Sequence, residues 1–107
     1  MKKIETLEQI EQEIKENDMV LFYFGMNTCG VCVDLLPKID KMLEKYPKMK
    51  SFEIDARKDL KLAAQFDVFT APVIVIYIDG KEGIREARLI SVPDLESKIK
   101  RYYDMIF

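Results

Sequence analysis

Two stretches of the chain are apolar without interruption: MVLFYF at Met19–Phe24 and VIVIYI at Val73–Ile78. No other feature limits the fold as much. A strand with one wet face alternates apolar and polar residues, so an unbroken run of this length reads as a strand covered on both faces. Two such strands need layers above and below them, which predicts a sheet with helices on either side. Neither run approaches the ~20 residues that a membrane-crossing helix needs.

The flanking segments supply those helices. Thr6 with Gln9 makes a capping box, and Leu7, Ile10 and Ile14 recur at helical spacing, so a helix is expected over Leu7–Glu16. Leu35, Leu36, Ile39, Met42, Leu43 and Tyr46 keep the same period, with Lys38, Asp40, Lys41, Glu44 and Lys45 on the opposite face. Pro37 should kink this second helix and Pro47 should end it. Met49, Phe52 and Ile54 alternate loosely through KMKSFEIDA, a strand closing at Asp55, and a short helix is expected around Leu60–Phe66.

After VIVIYI, Asp79-Gly80 signals a type I′ hairpin, and the chain from about Ile84 to Ile90 should pair back antiparallel. Ser91, Pro93 and Asp94 open a last helix carrying Leu95, Ile99, Tyr102, Tyr103 and Ile106, with Glu96 and Lys100 spaced for an ion pair. Lys2–Ile4 is a candidate for one more short strand. Strands joined through a helix should lie parallel with a right-handed crossover. The expectation is therefore an α/β fold, a mixed sheet of four to five strands flanked by helices on both faces. The 107 residues suit a single domain, with no repeat or linker in view.

The net charge of −2 comes from interleaved lysines and glutamates, so no basic stripe offers itself to nucleic acid. Glu5, Glu8, Glu11 and Glu13 break up any apolar signal segment near the start. A cytoplasmic protein with no membrane attachment is expected.

In that compartment a structural disulfide is uncommon, which gives weight to Cys29 and Cys32, the only cysteines, set in MNTCGVC. Gly25 and Asn27 are turn formers between the first apolar strand and the cysteines. The order strand, turn, Cys-x-x-Cys, helix puts Cys29 at a helix N-terminus, where free N–H groups and the helix dipole favour the attacking thiolate. Cys32, one turn further on, is placed to resolve a mixed disulfide. Gly30 lets a bulky disulfide approach, and Val31 fills the second spacer position. Zinc is the metal alternative, but one Cys-x-x-Cys supplies two of four ligands and the chain has no histidine. A zinc site shared between two chains and a pair of inert buried thiols remain as other readings. No cofactor is called for.

These residues together resemble the thioredoxin family over most of the chain. CGVC is similar to the family's Cys-Gly-Pro-Cys, with Val31 in place of the proline, and Pro37 coincides with the proline that kinks the family's active-site helix. FDVFTAPVIVIYIDGK, Phe66–Lys81, resembles the segment in which a cis-proline precedes the last two strands. The resemblance implies a thioredoxin-like fold and a protein-disulfide reductase in which Cys29 attacks and Cys32 resolves. It implies a cis bond between Ala71 and Pro72, with both residues beside the cysteines and the Ala71 backbone pairing with an incoming peptide. It also implies protein disulfides as substrates, a reductase that supplies dithiol electrons, and a monomer.

Several family positions are occupied differently. Thr28, on the substrate side, stands where a tryptophan precedes the first cysteine, and Gly25 stands at a second aromatic position. Tyr23 replaces a buried aspartate that helps move the resolving thiol's proton. A phenol with a reference pKa near ~10 is a poor base at neutral pH but a good hydrogen-bond donor. Ser51 stands roughly in place of the lysine that accompanies that aspartate in the family, and Arg88 and Leu89 replace a glycine beside the groove. Tyr23, Gly30 and Val31 are thus the residues expected to tune the redox pair. A binding or scaffold module on the same fold is the alternative these replacements leave open.

Overall fold

The two apolar runs lie side by side at the centre of the sheet. Every residue of Met19–Gly25 is buried, as are Val73–Ile76 of the second run. The structure, a computed structural model, describes residues 1–26 and 28–107, so Asn27 lies outside the described residues. In chain order the elements are β1 (Lys2–Lys3), α1 (Leu7–Glu16), β2 (Met19–Gly25), α2 (Gly30–Leu43) and β3 (Lys50–Asp55). They continue with α3 (Leu60–Gln65), β4 (Val73–Ile78), β5 (Lys81–Ala87) and α4 (Val92–Ile106).

The strands form one five-stranded sheet in the order β1-β3-β2-β4-β5. β2 runs parallel to β3 and antiparallel to β4, and β5 pairs antiparallel with β4. Alternate residues of β2 enter opposite cores. Val20, Phe22 and Phe24 pack with Ile10 of α1 and Leu62, Ala63 and Phe66 of the α3 region. Met19, Leu21 and Tyr23 pack with Leu35 and Ile39 of α2 and Leu95 and Ile99 of α4. The central strands are buried on both faces because each face has its own pair of helices, as the apolar runs predict.

Local chemistry agrees with the sequence at several ends. Thr6 Oγ1 accepts from the Gln9 N–H at 3.1 Å, and Gln9 Oε1 accepts from the Thr6 N–H at 3.1 Å, closing the capping box. Ser91 caps α4 through the Asp94 N–H at 3.3 Å. Asp79 and Gly80 both take positive φ, 52° and 80°, as a type I′ turn demands.

Three expectations need correction. The last strand is Lys81–Ala87 rather than Ile84–Ile90, because a two-residue turn starts pairing at once, with Ile78 opposite Lys81. Arg88, at φ 64°, then leaves the ladder. Gly83 is the extra residue where the register shifts, since Ile76 faces Ile84 and Tyr77 faces Glu82. A Cβ at Gly83 would run into the Ile78 side chain. The second helix stops at Leu43, short of Pro47; turns carry the chain onward, with the Tyr46 N–H on the Leu43 carbonyl at 2.9 Å. Glu96 does not pair with Lys100. Its carboxylate faces α2's end and accepts from Tyr46 Oη at 2.9 Å and Lys45 Nζ at 3.4 Å, while Lys100 pairs with Asp104 at 2.7 Å.

Candidate active site

The cysteines sit where β2 hands over to α2. Cys29 is the N-cap of the helix, and its Sγ accepts a hydrogen bond from the Cys32 N–H at 3.2 Å. A sulfur in this position does what an N-cap oxygen does, satisfying a first-turn amide that the helix cannot pair itself. The acceptor role suits the anion that attacks a disulfide. The Cys29 N–H is held in turn by the Met26 carbonyl at 3.1 Å. Both cysteines are free thiols, Cys29 half-buried and Cys32 buried at 3% exposure.

The two thiols therefore differ in access, and burial also acts on the acidity of Cys32. The Cys32 pKa is pushed up to about 11, first by burial, which disfavours the charged form, and then by its hydrogen bond with Cys29. At neutral pH it is a protonated thiol one helical turn behind an accessible sulfur.

The loop before β4 closes the site from the far side. The Ala71–Pro72 peptide is cis, and the Ala71 carbonyl lies 4.0 Å from Cys29 Sγ, at the outer limit for a sulfur donor. Pro72 is buried and its carbonyl accepts from the Arg88 N–H at 2.9 Å, which ties this loop to the end of β5. Thr28 is exposed, and its Oγ1 accepts from Arg57 Nη1 at 3.0 Å. The Arg57 N–H bonds Asp55 at the end of β3.

Gly30 and Val31 form the exposed first turn of α2. A Cβ on Gly30 would meet nothing within 4 Å, so the glycine leaves open space above the thiols rather than relieving a clash. Val31 and Leu35 face Leu89 and Ile90 across a groove of about 410 Å³. Leu89 is 91% exposed there.

The structure thus brings together Thr28, Cys29, Gly30, Val31, Cys32, Ala71 and Pro72 at one end of the sheet. Tyr23 reaches them from beneath, its hydroxyl donating to the Cys32 carbonyl at 2.8 Å. Sequence reasoning missed Arg57, whose side chain arrives from β3's end; the only signal was its place two residues past Asp55, the end of a strand parallel to β2. Among the described residues no group of three or more histidine, cysteine or carboxylate side chains is arranged to hold a metal ion. No helix among them is long and apolar enough to cross a membrane.

Comparison with known proteins bears on the whole chain. The family model described as Thioredoxin matches residues 2–101. A thioredoxin-like protein of Bacillus subtilis, YdfQ, is 37% identical over 103 residues, covering 96% of this chain and 92% of its own. Among solved structures, mitochondrial thioredoxin 3 of Saccharomyces cerevisiae superposes with a TM-score of 0.84 at 25% identity, covering 94% of each chain. A mutant thioredoxin from Halobacterium salinarum gives 0.86 at 24% identity, over 95% of this chain and 89% of its own, a likeness of fold.

Proposed function

The chain belongs to the thioredoxin family, and from that membership we propose that it is a thiol–disulfide oxidoreductase acting on protein disulfides. Membership and the Cys29–Cys32 pair support a redox role in general; the arrangement of the two sulfurs supports the particular reaction. The observation that carries it is the asymmetry of the pair: an accessible Cys29 sulfur held as a helix cap, and a buried, protonated Cys32 within the same turn.

In this reading Cys29 Sγ attacks one sulfur of a substrate disulfide. The substrate S–S bond breaks, a Cys29–substrate disulfide forms, and the other substrate sulfur leaves with the bonding pair and takes a proton. Cys32 Sγ then attacks Cys29 Sγ, forming the Cys29–Cys32 disulfide and releasing the second substrate thiol. The substrate disulfide gains two electrons that the dithiol loses, and a reductase or other dithiol donor restores the pair. Ala71, Pro72 and Thr28 hold the substrate chain, while Gly30, Val31 and Tyr23 set the readiness of the pair. The protein works as a single-domain monomer in the cytoplasm without a cofactor or metal, and its partners are neither nucleic acid nor membrane.

The test is reduction of a protein disulfide with dithiothreitol as electron donor, comparing the natural protein with Cys29→Ser. Turnover that requires Cys29 is the expected result. Turnover no faster than dithiothreitol alone would leave the fold as a binding module.

A further inference from the structure

Two unusual positions near the cysteines are one feature. The Tyr23 ring lies over Gly25, where a Cβ would come within 2.8 Å of ring carbon Cε1 and 3.6 Å of the Cys32 Cβ. Only because residue 25 lacks a side chain does the ring reach α2. Its hydroxyl donates to the Cys32 carbonyl at 2.8 Å with the ring 1% exposed. That carbonyl lies in the first turn of a helix whose ladder is broken nearby. Pro37 has no N–H to give to the Val33 carbonyl, so this part of α2 is held by fewer of its own bonds. The phenol supplies a tie from the sheet.

We propose that Tyr23 is a positioning residue for the resolving step: its hydroxyl pins the Cys32 backbone, and so the Cys32 thiol, against Cys29, and does so without serving as a proton acceptor. This rests on the reading of Cys32 as the resolving thiol. The phenol is a donor here, and its proton is engaged with the carbonyl. Burial, and then the two sulfurs and Glu53, push its own ionisation upward, so it stays neutral at working pH. Among the described residues no carboxylate, lysine or arginine is buried. The titratable groups beside Cys32 are Cys29 on its own turn and Tyr23 on β2, and Glu53, opposite Tyr23 on β3, acts on the phenol. β4 and α4 present Ile74, Leu95 and Ile99 to the same core.

The proton balance follows. When Cys32 Sγ bonds to Cys29 Sγ, the Cys29–substrate bond breaks, and the departing sulfur leaves as thiolate. The Cys32 proton passes to that sulfur or to solvent, so the step closes with no internal base and no further oxidant.

The test uses a small aromatic disulfide, dithiobis(nitrobenzoate), with the reduced full chain in stopped flow. Cys29 attack releases one coloured thiolate and Cys32 closure releases the second, so the two steps are read apart and no protein substrate is needed. Losing one hydrogen bond of ordinary net worth, Tyr23→Phe should slow the second release about fivefold and leave the first within about twofold. Gly25→Ala, which drives a Cβ into the ring, should slow the same release. In the natural protein and in Tyr23→Phe the second release should climb about tenfold per pH unit through neutrality.

An unchanged second release in Tyr23→Phe overturns the proposal, as does absence of a second release in the natural protein. A profile that levels near neutrality and is altered by Tyr23→Phe or Glu53→Gln also overturns it, because it reveals an internal base. Two intact releases without turnover of protein disulfides would instead sink the oxidoreductase reading alone.

Discussion

Alkylation of the reduced protein should separate the two thiols by a wide margin. With its pKa near 11 rather than the ordinary 9.0, Cys32 is thiolate for about one molecule in a thousand at pH 8, against about one in ten for an ordinary thiol. Acidity alone therefore slows its reaction about a hundredfold, and 3% exposure adds the requirement that the first turn open before reagent enters. Cys29, half-buried at the helix start, needs no such opening. Iodoacetamide at pH 8 should label Cys29 while Cys32 stays intact, with fragment-ion mass spectrometry placing the label. Cys29→Ala removes both contributions of Cys29 to the shift but not burial, its largest cause, so Cys32 should still react more slowly than a free thiol. If Cys32 in that variant reacts as fast as glutathione, or takes label before Cys29 in the natural chain, the assignment of roles is wrong.

Other consequences concern the scaffold. Leu95 is fully buried between α4 and the sheet, so Leu95→Ala should cost about 2–5 kcal/mol, read as a lower guanidinium midpoint; a loss under ~1 kcal/mol would refute the packing. Gly80→Ala places a Cβ at φ 80° in the hairpin turn and should cost about 1–2 kcal/mol, measured by the same midpoint and absent if the turn is not type I′. Cys32 and Tyr46 have folded-state pKa values raised to about 11 and about 12, both chiefly by burial. The folded state therefore holds their protons more tightly than the unfolded chain. Their stabilisation is complete below about pH 9 and is lost as pH climbs toward 11–12. Urea midpoints should fall between pH 8.5 and 10.5, and a midpoint that holds or rises contradicts the sign.

What the sequence revealed follows from how local each cause is. Met19–Phe24 and Val73–Ile78 betray central strands because burial on both faces leaves no polar position. Thr6–Gln9 and Asp79-Gly80 are legible because cap and turn chemistry is settled within a few residues. The bounds of β5 are hard to read because an edge strand has only one buried core residue, Ile84, while the apolar Leu89 beyond it is exposed. Helical spacing pairs Glu96 with Lys100, whereas its partners come from another helix's end, 50 and 51 residues away in sequence.

At the site, Cys29 as the cap is readable from strand, turn and helix order. The tie between Tyr23 and Cys32 is not, because it depends on which carbonyl of α2 the β2 face meets and on Gly25 leaving room. Arg57 is hidden for a similar reason: it reaches Thr28 only because β3 lies alongside β2.

The central claim is that Cys29 attacks a protein disulfide and Cys32 then releases the product. Cys32→Ser removes the second step and keeps the first, since the backbone N–H at that position is still there for Cys29 Sγ to accept from. Incubated with a disulfide-bonded protein such as insulin, that variant should accumulate a covalent adduct through Cys29, cleaved by dithiothreitol and absent in Cys29→Ser. If no adduct forms while the variant remains folded and Cys29 still alkylates freely, the account of this site as a thiol–disulfide exchange centre is contradicted.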